Sequence, residues 1–452
     1  MIGLALALVL VWLAGLGAAA LLAGRTRLLW PEWLGLAWPL GAGVISLAIW
    51  LFGLVCSDVV LRGGIAALAV GLALLGWRAW RKNGAAPQAP GWSDLPLLVV
   101  VAGLAGYVVW LGPKVCLGWD ALMIWEAKAR LAWQQGGTLP VTYFADADRT
   151  FSQPFYPLYL PYLEAWWYGW QGSPDQSVLW LIPLCFVVAA ALLLYGAVRR
   201  LGGPPWLGWM AAAALLAVPY LFSGVWGLFA GYADFPLAVL FLGAVGAALW
   251  WTEDRAPAAL RLLAVLAALL PWVKREGRFL WFGLILVPLL VLVVRRRWRE
   301  ALLLVAPGVV LMAAWQTYLS FCHVVPDPTF APVTFSAAAE RWHRVGPIAS
   351  AIGAELVLQD HWSILWPLTA LAILSFAIAR RWLIAALLAT ALAAPLSGAL
   401  AAYLFSTSDN YFRHIELSIP RLIVQLAPAA LLMVVLACPW RRQQGEKADG
   451  GG

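Results

Sequence analysis

Charge is what this chain of 452 residues has least of: Asp, Glu, Lys and Arg make up 12% of it, against 63% hydrophobic residues. Too few charges remain to coat a water-facing globule, and a disordered chain of this composition is excluded as well. The five cysteines, Cys56, Cys116, Cys185, Cys322 and Cys438, include no C-x-x-C pair or metal spacing. Cys56, Cys116 and Cys322 fall where a disulfide is chemically possible. The four histidines, His323, His343, His361 and His414, show no H-x-x-x-H or other ligand spacing. Walker loop, G-x-S-x-G elbow and dinucleotide fingerprint are all missing, so neither a nucleotide-powered machine nor a serine hydrolase is indicated.

Apolar stretches take the place of charge. About thirteen of them, each near 20 residues, run over 2–23, 36–55, 63–80, 95–113, 175–198, 204–222, 235–252, 257–273, 278–294, 301–321, 362–379, 383–404 and 421–439. A bilayer core of about 30 Å needs roughly 20 helical residues, and lipid offers backbone groups no partner outside their own helix. The expected fold is an all-α polytopic membrane protein with a bundle of about 13 transmembrane helices.

Basic residues orient it. Arg25/Arg27, Arg78/Arg81/Lys82, Arg199/Arg200, Arg255/Arg261, Arg295–Arg297/Arg299, Arg380/Arg381 and Arg441/Arg442/Lys447 fall on one side of alternating spans. Positive flanks stay cytoplasmic, which places the N-terminus outside and the C-terminus inside. The first span has no basic residues before it and reads as an N-out anchor rather than a cleaved signal. The net charge of +8 is thereby accounted for by helix-end caps, and a nucleic-acid partner is not expected.

Segment 83–94, NGAAPQAPGWSD, reads as a cytoplasmic linker between a three-helix N-terminal extension (1–82) and a core over 95–440. The polar tail 441–452 reads as disordered. Three long outer segments hold most of the remaining polar chemistry: 114–174, 323–361 and 406–420. Ordered loops of such length tend to be functional. No ionisable residue sits near the middle of a span, as a carrier would require.

Asp120 opens GWDALMIWEAKARLAW, whose spacing predicts an amphipathic helix lying along the outer interface. Leu122, Trp125, Ala129 and Trp133 share one face; Glu126 and Arg130 lie near the other. Asp120 suits either a helix N-cap or a functional carboxylate, and Glu126 with Arg130 suits an i,i+4 surface pair. Asp146 and Asp148 precede FSQPFYPLYLPYLEAWWYGW, where the prolines hold the chain extended before a short Trp-rich helix expected at the interface. An interfacial belt explains most of the 30 tryptophans. Gly231–Pro236 (GYADFP) makes an outer turn in which Asp234 is either a helix start or a site residue. Lys274-Arg275-Glu276-Gly277-Arg278 places basic residues outside, against the positive-inside trend. That placement suggests an anionic partner such as a lipid phosphate, with internal pairing to Glu276 and Asp234 as the alternative. In FSTSDNYFRHIELSIPRLIVQLAP, Arg413, His414 and Arg421 gather more positive charge, with Arg421 expected to begin the last helix, where the dipole favours anions.

The ordered set GWDALMIWEAKARLAW, YPLYLP, GYADFP, VKREG and HIELSIPRLIVQLAP resembles the GT-C superfamily of polytopic membrane glycosyltransferases, and a bacterial branch of it in particular. That superfamily includes the protein O-mannosyltransferases and the lipid A aminoarabinose transferase. The resemblance spans about residues 95–440. It implies a GT-C-like bundle in the bacterial cytoplasmic membrane that takes a sugar from a polyprenyl-phosphate carrier. The sugar passes, with inversion, to a glycan, lipid or protein acceptor on the extracytoplasmic face. Asp120 matches the loop carboxylate that serves as general base. Lys274, Arg275, Arg278 and Arg421 would meet the leaving phosphate; Glu126, Asp148, Tyr156, Asp234 and His414 complete the candidate substrate contacts. Many relatives carry two acidic residues at the loop position; this chain has no such pair beside Asp120, which leaves a divalent metal ion an open possibility. The rival classes are a lipid-linked saccharide flippase, a non-catalytic assembly subunit, and a polysaccharide polymerase or ligase using a diphosphate-linked donor.

Overall fold

A computed structural model describes residues 2–84, 87, 89–223, 227–408 and 410–438. Residues 85, 86 and 88 of the expected linker, and the expected tail with Arg441, Arg442 and Lys447, lie outside the described residues. Every named element is helical, and the β-pairing among the described residues is one isolated bridge between Phe330 and Ser406.

In chain order the α-helices are α1 (Ile2–Ala23), α2 (Trp30–Phe52), α3 (Asp58–Asn83), α4 (Leu95–Leu111), α5 (Ala127–Gln134), α6 (Val141–Ala145) and α7 (Tyr159–Gln171). There follow α8 (Leu181–Arg200), α9 (Pro205–Ala213), α10 (Asp234–Asp254), α11 (Pro257–Val273), α12 (Gly277–Val294) and α13 (Trp298–Phe321). The last are α14 (Phe335–Arg341), α15 (Val345–Leu356), α16 (Gln359–Trp362), α17 (Leu365–Ile378), α18 (Trp382–Leu404), α19 (Tyr411–Val424) and α20 (Ala427–Ala437).

Nine helices among the described residues are long and apolar enough to cross a membrane: α1, α2, α3, α4 and α8 with their flanking turns, α10, α12, α13 and α18. The pair α19 and α20 qualifies only together and is bent by 48°. The chain is therefore a helical, membrane-embedded protein. The remaining apolar stretches form shorter helices, Pro205–Ala217, α11 and α17, of 10–17 residues. At about 1.5 Å per residue these do not reach across a core of about 30 Å as straight rods. The expected span 204–222 breaks because Val218 turns extended and Pro219, which has no N–H to give, opens a new 3₁₀ turn.

The bundle is organised around α2. Against α1 the two backbones touch: a Cβ on Gly15 would lie 1.6 Å from the Ala37 carbonyl oxygen, and one on Gly41 1.9 Å from that of Val11. Small residues allow this approach, which is how helices gain contact where lipid removes the hydrophobic drive between them. Further along α2, Trp50 packs on Trp272 (ring centroids 5.0 Å) and Trp315 (5.7 Å), and Trp272 Nε1 donates to Ser46 Oγ at 2.9 Å.

The same two helices cover α7, so this Trp-rich helix packs inside the protein. All of Tyr159–Gly169 is buried; the Tyr159 hydroxyl donates to the Pro39 carbonyl at 3.0 Å and Trp166 Nε1 to that of Ala7 at 3.2 Å. Trp38, Trp125, Trp166, Trp167, Trp251 and Trp272 are fully buried and serve packing, whereas Trp92, Trp110, Trp119 and Trp342 are among the exposed ones. The helix after Asp120 differs from expectation. It starts as a π-helical turn, Ala121–Glu126, before α5, and its polar side is enclosed: Glu126 is 3% exposed and Lys128 0%. Lys128 Nζ donates to the Gln153 carbonyl at 2.7 Å, so the loop before α7 folds over it.

Polar contacts between distant helices collect at two ends. One end holds Glu32 with Arg200, Glu253 with Arg381, and Arg261 donating to the Leu22 carbonyl. The other holds Asp120, Asp234, Lys274, Arg275, Asp327 and Arg421. All five cysteines are free thiols.

Candidate functional site

Three backbone features bring the second group together. Gly118 N–H donates to the Ala230 carbonyl at 2.9 Å, and Leu117, Ala121, Ala230 and Tyr232 form a small apolar cluster, which seats the Asp120 loop on the GYADFP turn. Gly231 in that turn has φ +75°, a left-handed conformation that costs glycine little. After α11 the chain reverses at once: Gly277 N–H donates to the Lys274 carbonyl at 3.0 Å, and a Cβ at Gly277 would lie 2.0 Å from the Leu270 carbonyl oxygen. Ala331 N–H donates to the Phe405 carbonyl and Thr407 N–H to that of Thr329, tying the segment that carries Asp327 to the approach to α19.

Asp234, its side chain 4% exposed, is the hub. Its Oδ1 accepts from Lys274 Nζ at 2.8 Å and Gln425 Nε2 at 2.6 Å; its Oδ2 accepts from Arg421 Nε at 3.4 Å and Nη2 at 3.3 Å. Arg421 also donates through Nη1 to Asp120 Oδ2 at 2.6 Å, and its guanidinium stacks 4.1 Å from the centre of the Tyr232 ring. Lys274 Nζ lies 3.4 Å from Glu276 Oε1, which accepts from the Tyr156 hydroxyl at 3.3 Å. Five separated segments thus meet in one network. Burial works to lower the pKa of the Lys274 ammonium, but Asp234 and Glu276 outweigh it and the net shift is upward. Burial first, then the Glu276 charge, hold the Tyr156 phenol well above its usual range, so it stays a donor.

The network assigns different duties to its members. Asp234 has both oxygens fully engaged and holds the framework. Asp120 is bound through Oδ2 alone, and its side chain is 27% exposed. Among the described residues its Oδ1 has no bonded partner. The helix-cap reading of Asp120 does not hold: its backbone is already helical (φ −66°, ψ −30°) and its carboxylate caps no amide. Asp234 does open α10, as the helix-start reading had it, but its carboxylate bonds side chains and caps no amide. Arg421 lies in the last turn of α19 instead of beginning a helix; Pro420 sits inside that helix, and the C-terminal end of the dipole favours the cation.

Of the basic run, Lys274 takes the internal pairing with Asp234 and Glu276, and Arg275 pairs with Asp327 while stacking 4.7 Å from the Phe155 ring. Arg278, at the start of α12, has no ion pair or side-chain hydrogen bond among the described residues, although it is near enough to Glu276 and Arg275 to feel both charges. Tyr156 joins the network through Glu276. Glu126, Asp148 and His414 do not. Glu126 is buried two turns beyond Asp120, taking Arg130 at 2.8 Å and the Tyr168 hydroxyl at 3.0 Å. Asp148 is exposed, in the first turn of a 3₁₀ helix over Ala147–Ser152. His414 bonds Ser406 Oγ at 3.1 Å and packs on Tyr403.

Sequence reasoning missed Gln425 and Asp327 and gave Tyr232 no role, whereas the pairing with Glu276 that it offered as an alternative is the one Lys274 makes. Gln425 carried a usable signal: a polar side chain one turn beyond Arg421, on the buried face of an apolar stretch. Asp327 carried none beyond its loop. Among the described residues no three His, Cys, Asp or Glu side chains are grouped to hold a metal ion. The carboxylates that meet here are engaged by Lys274 and Arg421, so the donor set does not fit a divalent ion. No family model, no curated protein and no solved structure matches the chain.

Proposed function

We propose that the chain is a membrane glycosyltransferase with a GT-C-like bundle of about 13 embedded helices. It moves a sugar from a polyprenyl-phosphate carrier to a glycan, lipid or protein acceptor on the extracytoplasmic face of the bacterial inner membrane. One observation carries the reading: a single buried network holds Asp120 by one oxygen, leaves the other free, and presents the unpaired Arg278 guanidinium on the adjoining turn. A base, and a cation for the leaving anion on a turn of the same network, are what displacement of a phosphate from a sugar needs.

In this reaction the acceptor hydroxyl gives its proton to Asp120 Oδ1 as its oxygen attacks the anomeric carbon. The bond from that carbon to the carrier phosphate breaks, and its electron pair stays on the phosphate oxygen beside Arg278. Attack opposite the leaving group inverts the centre. Lys274, Arg421 and Asp234 keep Asp120 and the turn in register.

Two expected results test the reading. Arg278→Gln weakens binding of decaprenyl phosphate to the purified protein about tenfold, the worth of one charge-assisted contact. Decaprenol, which lacks the phosphate, binds as before. Equal phosphate affinity in the two proteins would strip Arg278 of its role and the donor assignment with it. Topology supplies the second. The basic clusters at one end of the bundle support a cytoplasmic location for that end and an outer one for the network. A cysteine at the exposed Gln135 should therefore react with an impermeant thiol reagent in intact cells. Labelling only after permeabilisation reverses the orientation.

A further inference from the structure

Glu164 sits in the middle of α7 and is 3% exposed, yet among the described residues it has no cationic partner, and its Oε2 is buried without any hydrogen bond. The charge it feels most is another carboxylate, Glu126, itself held by Arg130 and the Tyr168 hydroxyl. Tyr168, one turn along α7, is the other titratable group facing it there. A buried polar atom with no partner costs stability and persists only where something offsets the cost. Glu164 lines a cavity of about 20 Å³, walled by Leu117, Leu160, Leu179, Pro183 and Tyr232. That is room for one water or one hydroxyl group. Tyr232 is a shared wall: it lines this cavity and also stacks on the guanidinium of Arg421, which holds Asp120.

We infer that the Glu164 cavity is a specificity subsite, in which Glu164 hydrogen-bonds one uncharged hydroxyl of the transferred sugar beside the Asp120–Arg421 pair. This rests on the glycosyl-transfer reading. Burial first, then the Glu126 charge, push the Glu164 carboxyl well above the usual carboxylate range. A neutral acid offers one O–H donor and one carbonyl acceptor, the complement of a hydroxyl. An anion is disfavoured by Glu126, and the apolar walls give an ammonium group no second acceptor.

The experiment compares binding of decaprenyl phosphate with binding of its glucosyl, mannosyl and arabinosyl forms. The wild type prefers its best glycosyl lipid over the bare phosphate. Glu164→Leu reduces that preference about tenfold and leaves affinity for the bare phosphate unchanged. Glu164→Gln keeps the preference, because a side-chain amide also has both a donating NH2 group and an accepting carbonyl. Leu117→Phe, which fills the cavity from a half-buried wall with Glu164 in place, loses it as Leu does. A preference intact in both Glu164→Leu and Leu117→Phe overturns the subsite alone. A preference lost equally in Glu164→Gln shows that a charge is needed and overturns the hydroxyl assignment. A wild type that binds neither lipid overturns the carrier reading, and this inference with it.

Folding is checked in the same proteins. The raised carboxyl pKa favours the fold fully below the unfolded value of about 4.3, and that contribution is lost as pH rises toward the folded value. Glu164→Gln has no such loss, so its stability relative to wild type increases with pH. A pH-independent difference means that Glu164 is already ionised and refutes the neutral-acid recognition.

Discussion

Asp234→Asn is expected to destabilise the protein by about 3–5 kcal/mol, the largest effect of any single change at the network. The substitution keeps shape and removes the charge on which two buried cations depend. Lys274, its side chain 5% exposed, would be left with Glu276 at 3.4 Å, and Arg421, 11% exposed, with Asp120 alone. An uncompensated buried charge costs more than the intact pair contributes, so the partner change is diagnostic. Lys274→Met should be costly too, since it frees Asp234 Oδ1 from its main cation. The double variant Asp234→Asn/Lys274→Met should recover much of the loss, because the orphaned charge has gone. Thermal unfolding in nanodiscs of the two singles and the double closes the cycle. Additive losses would mean that the two side chains are not coupled, contrary to their 2.8 Å contact.

The expected recovery also separates two uses of positive charge that look alike in the sequence. Lys274, Arg275, Arg278 and Arg421 all stand out because they oppose the positive-inside trend, and hydropathy alone cannot tell a charge awaiting an anion from one with an anion already beside it. Lys274 and Arg421 belong to the second kind, as does Arg275 through Asp327. Arg278 has no ion pair among the described residues, and the proposed phosphate contact rests on that.

What was legible follows the same physics. A charge near lipid is costly enough to stand out, so Asp120, Asp234, Lys274 and Arg421 were picked out from four distant segments that the fold brings together. The apolar stretches were legible as helices because lipid permits little else. Whether an apolar side faces lipid or protein was not legible, since both environments suit the same residues. Hence the burial of α7 and its tryptophans was not foreseen, and Glu164 passed unnoticed among them. Length hid a further distinction: Pro219 and the bend between α19 and α20 break stretches that composition alone reads as continuous.

Asp120→Asn tests the chemistry itself. The carboxylate is held at Oδ2 by Arg421 Nη1, and an asparagine oxygen can take the same bond. Arg421 keeps Asp234 as its second partner, and the Asp120 side chain is partly exposed, so no buried charge is orphaned. The fold and the unfolding midpoint should therefore stay near wild type, in contrast to Asp234→Asn. Oδ1, however, is replaced by an amide nitrogen or turned away, and neither arrangement accepts a proton. If Asp120 deprotonates the acceptor, transfer should slow by about 10² or more, the usual worth of a positioned base. Affinity for the carrier lipid should hold, since Arg278 and the cavity at Glu164 are untouched. The measurement is single-turnover transfer from a polyprenyl-phosphoryl sugar, alongside lipid titration and thermal unfolding of the same preparation. Full turnover with normal stability would exclude Asp120 as the base. Glu276 would then be the carboxylate to test, because among the described residues its Oε2 is the other acid oxygen of the network without a partner. Slowed transfer with intact lipid binding and stability would place the loss in the chemical step, where the free oxygen of Asp120 is proposed to act.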